Sequence, residues 1–310
     1  MLGCGAVGSV FGGLLAESGC HVEAVGRGDH FEALRDGGFE VEGIWGEHRG
    51  PLRAAHSSPE TASGPFDAIL VACKSFQTEA LLDRLDPDCL AADGSAISLQ
   101  NGLGNVEKLT KVFGAHRSLA GRVIFGAEIV RPGVARVTVE AEPTLVGLPA
   151  AVAEGDGGAE RWASRFREAG VPARASESIA GALWGKVFYN AALNPMGALL
   201  GLRYGELPKD PERRRVMDRV IDEAFAVAVA EGVVLSWKDA AEYRELFYGK
   251  LLPPTVAHRS SMLQDMERGR PTEIDAICGE ICRRGDAHGL DVWANRVLWA
   301  LVKGRETPGV

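Results

Sequence analysis

The first residues of the chain constrain its fold more than any other feature. The sequence opens MLGCGAVGSVFGG, in which Gly3, Gly5 and Gly8 form a G-x-G-x-x-G pattern that leads into a predicted helix at 7–18. In such a turn the first glycine allows a sharp bend, the second lets the backbone approach a pyrophosphate, and the third lets helix and strand pack closely. Phosphates would lie at the helix N-terminus, where free N–H groups and the helix dipole favour anions. Because glycines also serve ordinary turns, the pattern needs support from the elements that follow.

That support comes from regular alternation in the first half of the chain. Apolar runs predict strands at 21–26, 66–73 and 94–99, and amphipathic stretches between them predict helices at 7–18, 76–85 and 105–113. This order is typical of βαβ units, so we predict an α/β fold with an N-terminal Rossmann-type dinucleotide-binding domain. Two stretches at 39–54 and 121–148, rich in β-branched residues and interrupted by glycine and proline, predict hairpins appended to the sheet.

The start of the chain is short for this fold. A buried first strand should precede the glycines, yet only Met1 and Leu2 stand before Gly3. We therefore expect either a start further upstream or a fold that tolerates a stub in place of the first strand.

After about Val171 strand patterns disappear and apolar residues recur at helical spacing. A long helix is predicted from Pro211 to about Gly232, with proline in its first turn and glycine near its end. A length of 310 residues also exceeds what one hydrophobic core usually fills. We predict a Rossmann-type domain over 1–174 and an all-helical domain over 175–310.

Composition excludes several classes of function. The formal net charge is −8, and no basic stripe is present that could neutralise nucleic-acid phosphates. No run of 18 apolar residues predicts a membrane span, and the N-terminus lacks the pattern of a secretory signal. The six cysteines lack C-x-x-C spacing, and Cys278 and Cys282 are better explained as buried thiols than as zinc ligands. We expect a cytoplasmic protein without a metal site, a nucleic-acid partner or a membrane segment.

The residue after the predicted strand at 21–26 bears on the choice of cofactor. NAD sites place an acidic residue there for the ribose 2′-hydroxyl, whereas NADP sites favour arginine for the 2′-phosphate. This chain has Arg27. The sequence therefore predicts NADP rather than NAD, against the alternative of an ordinary surface arginine.

In the second half, WGKVFYNAALNP places Lys186, Asn190 and Asn194 four residues apart, on one side of a helix. Apolar neighbours flank this polar stripe on several sides, so we expect it to border a crevice rather than to be a solvated face. A partly desolvated lysine suits proton donation near neutral pH. Further on, Thr272 and Glu273 open a predicted helix. Thr272 is a candidate helix cap, and Glu273 is the carboxylate of this segment that we expect next to the catalytic site.

Five motifs in this order resemble the ketopantoate reductases (2-dehydropantoate 2-reductases), and the resemblance covers nearly the whole chain. They are LGCGAVG at the start, CKSFQT at 73–78, QNGLGN at 100–105, WGKVFYNAALNP at 184–195 and SSMLQDMERGRPTEID at 260–275. The resemblance implies NADPH-dependent reduction of a 2-keto acid to a 2-hydroxy acid. In the family this is ketopantoate to pantoate, a step in pantothenate and coenzyme A biosynthesis.

The same resemblance implies roles for individual residues. Lys186 matches the general acid, and Glu273 matches a position that orients the lysine or contacts the cofactor ribose. The residues implied to bind substrate are Asn101, Asn190, Asn194 and Ser261, the last through the substrate carboxylate. The residues implied to bind cofactor are Gly3, Cys4, Gly5, Ala6, Val7, Gly8, Arg27, Lys74, Asn101 and Ala127. Lys74 and Asn101 also follow predicted strands, where open α/β sheets bind ligands.

Two positions depart from the family pattern. Tyr204 and His258 stand where asparagines are often found, which leaves the identity of the keto acid open. The alternatives are a relative that reduces a different 2-keto acid and an NADP-binding redox sensor without turnover. The expected partner is a small-molecule 2-keto acid, and a homodimer is left open.

Overall fold

A computed structural model describes residues 1–62, 64–149 and 158–306 of the chain. The chain divides into two compact units. The first unit contains Met1–Gln100 and Asn105–Ile179, and the second contains Asn101–Gly104 and the chain from Ala180 onward. None of the helices in the described ranges combines the length and apolar character needed to cross a membrane.

The first unit combines strands and helices in the alternating order that the sequence predicts. Its strands are β1 (Glu23–Val25), β2 (Phe39–Gly43), β3 (His48–Gly50), β4 (Ala54–His56), β5 (Phe66–Val71), β6 (Leu90–Ser98), β7 (Ser118–Arg122), β8 (Phe125–Arg131), β9 (Val134–Glu140), β10 (Thr144–Gly147) and β11 (Ala173–Ala175). Its helices are α1 (Ala6–Glu17), α2 (Asp29–Gly37), α3 (Thr78–Leu82), α4 (Asn105–Phe113) and α5 (Ala159–Glu168).

The main sheet carries the Rossmann-type topology. β5, β6 and β7 are parallel neighbours, β10 joins β7 antiparallel, and β11 pairs with β10 in parallel. β1 and β4 form a parallel pair of their own. Leu2 connects the two groups, because it forms parallel bridges to Val25 and to Val71. A single residue thus occupies the place where a first strand was expected, and the predicted α/β fold class is confirmed.

The predicted hairpins form a second sheet instead of extending the first. Its strand order is β3-β2-β9-β8, with antiparallel β2–β3 and β8–β9 pairs and a parallel β2–β9 pair between them. Strands of the two hairpin stretches therefore join each other, which corrects the prediction of hairpins appended to the main sheet, and only β10, at the end of the second stretch, extends that sheet. Helix α1 packs on this second sheet and is buried over most of its length. Phe11 of α1 contacts both Phe125 of β8 and Phe166 of α5, so α1 is central to the core of the unit.

The second unit is helical in its described residues. Its helices are α6 (Ile179–Leu200, which starts at the last residue of the first unit), α7 (Pro211–Ala230), α8 (Ala240–Leu246), α9 (Ser261–Glu267), α10 (Cys278–Ala287) and α11 (Trp293–Glu306). Shorter turns lie at Tyr204–Lys209, Phe247–Leu251, Pro253–Thr255 and Ile274–Ala276. The core includes fully buried Phe188 of α6, Ile221 of α7 and Tyr243 of α8.

Most predicted elements are present, with shifted ends. α4 matches the prediction at 105–113, and the helix predicted from Pro211 corresponds to α7. The helix predicted at 76–85 is a 3₁₀ turn, Ser75–Gln77, followed by the short α3. β11 spans the predicted domain boundary at 174, and the first unit continues to Ile179.

Candidate active site

The glycine-rich turn is fixed by two glycines that the fold itself requires. Gly3 has a φ of 89°, and a Cβ there would lie 2.5 Å from the backbone nitrogen of Cys73. A Cβ on Gly8 would lie 2.2 Å from the Gly3 carbonyl oxygen. Both distances are far below van der Waals contact, so neither position accepts a larger residue without a backbone shift. The turn is thereby held against the chain that follows β5.

Gly5, between these two, has a different environment. It is the N-cap of α1 with an ordinary φ of −70°, and a Cβ placed on it would meet no described atom within 4 Å. The space in front of Gly5 is therefore open, which fits close approach of a pyrophosphate to the first N–H groups of α1. Cys4, Ala6 and Val7 belong to the same turn. Burial raises the pKa of Cys4 to about 11, so this thiol stays neutral.

A relay of hydrogen bonds, which runs from Gly133 through His30 and Ser9 to Cys4, supports the glycine-rich turn. The backbone N–H of Gly133 donates to Nδ1 of His30 at 3.0 Å, which places the imidazole proton on Nε2. Nε2 lies 2.9 Å from Ser9 Oγ, and Ser9 in turn donates to the Cys4 carbonyl at 3.2 Å. The relay joins the start of α2 and the β8–β9 turn to the glycine-rich turn. Burial is the largest influence on His30 and lowers its pKa, against a smaller opposing effect of the Arg131 carbonyl.

The other predicted cofactor residues of the first unit lie in three places. Arg27 is exposed directly after β1, and Lys74 follows β5, so both stand at carboxyl ends of parallel strands. Ala127 instead lies within β8 of the second sheet, next to a shift in the β8–β9 register. The structure thus brings the glycine-rich turn and the chain before Lys74 into contact, and it places Ala127 on a separate sheet.

Gln100 organises the chain after β5 and was not selected from the sequence. It is buried at the end of β6, and its Nε2 donates to the Cys73 carbonyl at 2.8 Å and to Thr78 Oγ1 at 2.7 Å. These bonds fix both ends of the segment that carries Lys74. The signal in the sequence was the glutamine that directly precedes Asn101 in QNGLGN.

Residues 101–104 leave the first unit and become part of the second. The Leu103 N–H donates to the Ala276 carbonyl at 2.8 Å. Gly102, with a φ of 84°, lies so close that a Cβ would be 2.3 Å from that same oxygen. The glycine allows this close approach, which brings Asn101 to the helical residues around Ala276.

Asn101 connects the two predicted catalytic residues. Nζ of Lys186 on α6 donates to Asn101 Oδ1 at 2.7 Å, and Asn101 Nδ2 donates to Glu273 Oε2 at 3.4 Å. Glu273 is 8% exposed and Lys186 is partly exposed. A chain of hydrogen bonds therefore runs from the carboxylate through the amide to the ammonium group, with the ammonium at its accessible end.

The polar stripe on α6 continues from Lys186 along one side of the helix. Asn190 is 8% exposed and Asn194 is 4% exposed, although both side chains are polar. Within the described ranges no residue forms a hydrogen bond with the side-chain amide of Asn190. The nitrogen and oxygen of that amide are not completely shielded from solvent. A buried amide that stays unpaired within the protein costs free energy unless a ligand or water satisfies it. The prediction that the stripe borders a crevice fits this arrangement.

Beyond the stripe, Ser261 is the exposed first residue of α9. The preceding Ser260 is fully buried and caps α9 by accepting from the Leu263 N–H at 3.0 Å. A Cβ on Gly197 of α6 would lie 3.7 Å from Ser260 Oγ, so α9 starts next to the turn of α6 that follows Asn194. Hydrogen bonds join Lys186 to Asn101 and Asn101 to Glu273. Ser261, in contrast, is near the other end of the stripe.

Comparison with known proteins agrees with these features. The family model described as "Ketopantoate reductase PanE/ApbA" matches residues 1–149, and "Ketopantoate reductase PanE/ApbA C terminal" matches residues 178–306. The chain is 34% identical over 307 residues to the 2-dehydropantoate 2-reductase of Aquifex aeolicus, covering 99% of this chain and 96% of that protein. It is 35% identical over 309 residues to the same-named protein of Archaeoglobus fulgidus, covering 99% and 97%. The chain belongs to the ketopantoate reductase family.

Solved structures give the same result for the fold. A PanE/ApbA family ketopantoate reductase from Ralstonia eutropha JMP134 superposes with a TM-score of 0.84 at 34% identity, covering 99% of this chain and 98% of that one. A D-mandelate dehydrogenase, solved with NADH and anilino(oxo)acetate, gives a TM-score of 0.85 at 25% identity with the same coverage. The similarity therefore includes proteins named for two different activities, a ketopantoate reductase and a D-mandelate dehydrogenase.

In this ketopantoate reductase family member, α11 supports the segment that carries Glu273. The Thr272 N–H donates to Glu306 Oε1 at 2.6 Å. Asp275 accepts from Trp299 Nε1 at 2.7 Å and from Lys303 Nζ at 3.1 Å. These contacts were not predicted, because each joins residues that are more than a helix apart in sequence.

A further cavity lies elsewhere, at the opposite ends of the strands. It has a volume of about 870 Å³ and is lined by Glu23, Phe66 and Arg165, among others, at the amino ends of β1 and β5. Open α/β sheets bind their ligands at the carboxyl ends of the strands. We therefore do not assign this cavity to the cofactor or the substrate.

Proposed function

We propose that this protein reduces a 2-keto acid to a 2-hydroxy acid with NADPH, and that ketopantoate, reduced to pantoate, is its substrate. The observation that carries the proposal is the hydrogen-bonded chain Glu273–Asn101–Lys186. It presents an ammonium group beside two buried amides, Asn190 and Asn194, on the same helix. Relatives named 2-dehydropantoate 2-reductase match along the whole chain, which supports this substrate.

Lys186 acts as the general acid. Reduction of a carbonyl builds negative charge on its oxygen, and an ammonium group beside that oxygen stabilises the transition state more than the ground state. Lys186 has three N–H donors, and one of them points to Asn101 Oδ1, which fixes the direction of the ammonium group. The bound cofactor supplies the hydride. Glu273 accepts from Asn101 Nδ2, which turns Asn101 Oδ1 toward Lys186 and so orients the lysine.

The substrate groups come from α6 and α9. Asn190, Asn194 and Asn101 offer amide groups along the stripe, and Ser261 offers its hydroxyl for the carboxylate. In this proposal the second unit contributes the acid and the substrate contacts.

The first unit contributes the cofactor site. The glycine-rich turn, Gly3 to Gly8, holds the pyrophosphate, and the open space at Gly5 supports that assignment. Arg27 pairs with the 2′-phosphate, and Lys74 lies at the end of β5, where it can contact the phosphates or the nicotinamide ribose. Asn101 and Ala127 complete the proposed set of contacts.

The proposal is tested with a panel of 2-keto acids, each assayed with NADPH and with NADH. We expect ketopantoate to be reduced fastest, and NADPH to give a kcat/KM at least about tenfold above that of NADH. Failure to consume either cofactor with any keto acid would contradict the proposal and favour a binding protein without turnover.

The same assay with Arg27→Ala tests the cofactor assignment. The loss of one charge-assisted contact should reduce the NADPH preference by roughly tenfold while NADH kinetics stay the same. The matched control is Arg49→Ala, which removes an exposed arginine in β3. Equal loss with both cofactors would remove Arg27 from the 2′-phosphate site.

A second candidate substrate is a 2-keto acid with an aromatic side chain. Near Asn194 the rings of Tyr189, Tyr204 and His258 lie in contact, with centroids 5.8 Å and 5.0 Å apart in turn. The structural similarity to a D-mandelate dehydrogenase points the same way. Phenylglyoxylate, the keto acid that corresponds to mandelate, therefore belongs in the panel, and a higher kcat/KM than for ketopantoate would favour this candidate.

A further inference from the structure

Tyr204 is a buried tyrosine whose hydroxyl contacts the side chain of Asn194. Its side chain is 4% exposed, and its hydroxyl donates to Oδ1 of Asn194 in a short hydrogen bond. The Tyr204 N–H donates to the His258 carbonyl at 3.2 Å, and the two rings lie against each other. Its backbone and its ring therefore hold the tyrosine in place, and its hydroxyl points to the amide of Asn194.

This contact determines which end of the Asn194 amide is available. A tyrosine hydroxyl has one proton, and burial raises the pKa of Tyr204 far above its usual value, so the proton stays in place. The hydroxyl thereby fixes Oδ1 as the end of the amide that faces Tyr204, and Nδ2 is directed away from it. The oxygen and the NH₂ group of an amide are nearly the same size. Without the hydroxyl, the Asn194 amide could therefore rotate and exchange the positions of the two groups.

We propose that Tyr204 is a positioning residue that orients Asn194 so that its NH₂ group, a donor only, faces an acceptor oxygen of the 2-keto acid. This rests on the proposed function, in which Asn194 contacts substrate. The acceptor oxygen belongs either to the carboxylate or to a hydroxyl on the side chain of the keto acid. Both are oxygen atoms with lone pairs, and the experiment separates them.

The first test is Tyr204→Phe, which removes the hydroxyl and keeps the ring. A net hydrogen bond contributes about 0.5–1.5 kcal/mol, so we expect KM for ketopantoate to rise roughly 2- to 12-fold while kcat stays within about twofold. The control is Tyr243→Phe, another fully buried tyrosine, whose hydroxyl donates to the Gly185 carbonyl at 2.7 Å. An unchanged KM in Tyr204→Phe, or an equal rise in both variants, overturns the inference.

The second test asks whether Tyr204 acts through Asn194. In a double-mutant cycle with Asn194→Ala, removal of the hydroxyl should have almost no further effect on KM, because the amide that it orients is gone. If the two changes multiply independently, Tyr204 acts by another route and the inference is wrong.

The third arm identifies the acceptor oxygen. Ketopantoate is compared with the same keto acid lacking its terminal hydroxyl. A Tyr204→Phe effect on KM with both substrates assigns Asn194 to the carboxylate, and an effect confined to ketopantoate assigns it to the hydroxyl. A wild-type protein that reduces no keto acid contradicts the proposed function together with this inference, whereas normal wild-type turnover with an unaffected Tyr204→Phe contradicts the inference alone.

Discussion

The glycine-rich turn of the first unit and the polar stripe of the second are built on opposite principles. In the turn, shape comes from the absence of side chains, since Gly3 and Gly8 lie against backbone atoms that any Cβ would overlap. In the stripe, a regular helix presents Lys186, Asn190 and Asn194, and side-chain hydrogen bonds with Asn101 and Tyr204 orient Lys186 and Asn194. Changes at Gly3 and Gly8 should therefore affect folding, whereas changes in the stripe should affect substrate binding and chemistry with little effect on folding.

Lys186→Ala tests the stripe and should have the largest effect. Loss of a general acid typically reduces turnover by a factor of about 10² to 10⁴, so kcat with ketopantoate should fall within that range. The helix keeps its backbone and alanine is a good helix former, so the melting temperature and the NADPH affinity should stay near wild type. Steady-state kinetics, thermal unfolding and fluorescence titration with NADPH measure the three quantities.

The control for this prediction is Lys250→Ala, which removes an exposed lysine from the same unit. Its kinetics should match those of the wild type. Turnover by Lys186→Ala within about twofold of the wild type would end the assignment of Lys186 as the acid.

Gly8→Ala and Gly5→Ala test the turn and should separate its two kinds of glycine. A Cβ on Gly8 would overlap the Gly3 carbonyl oxygen, so we expect the free energy of unfolding to fall by about 1–3 kcal/mol. A Cβ on Gly5 meets open space, so stability should change by less than about 1 kcal/mol, while NADPH affinity falls by about tenfold or more. Urea unfolding and NADPH titration provide the measurements. Normal NADPH affinity in Gly5→Ala would exclude this turn as the phosphate site.

The comparison of turn and stripe also shows which features follow from local sequence patterns and which do not. Local patterns predicted α4 to the residue and placed Lys186, Asn190 and Asn194 on one side of α6, because both depend on helical periodicity. The glycine turn was likewise predicted, since its spacing is local. Contacts between distant parts of the chain were not. The Gln100 bonds to Cys73 and Thr78, and the support of Thr272 by Glu306, join segments with no shared pattern.

The two hairpins show the same limit. Alternating apolar residues indicate that 39–54 and 121–148 contain strands, and those strands are present. Periodicity does not specify the partner of a strand, however, because pairing depends on which surfaces remain uncovered after the rest of the unit folds. The parallel pairing of β2 with β9, and the burial of α1 against the resulting sheet, therefore appear only in the structure.

The smallest predicted effect concerns His30, which supports the turn through Ser9. Its Nδ1 accepts the Gly133 N–H, so a second proton on the ring would break that bond. Burial lowers the pKa of His30 below its ordinary value of 6.5, with the nearby Arg131 carbonyl opposing this only in part. On acidification the unfolded chain therefore takes up the proton first, and the free energy of unfolding should decrease as the pH falls below about 6.5 and through the folded-state pKa.

His30→Gln removes this titration. The free energy of unfolding of the variant should therefore depend less on pH than that of the wild type between about pH 7.5 and 5, a range that extends roughly one unit or more to either side of an ordinary histidine pKa. His116→Gln, which replaces an exposed histidine of the same unit, controls for the loss of an imidazole and should follow the wild type. Urea unfolding at each pH gives the comparison. If His30→Gln and the wild type lose stability in parallel, His30 is not buried as a neutral acceptor. The turn would then depend on its glycines alone, and the contrast with the side-chain-ordered stripe would become sharper.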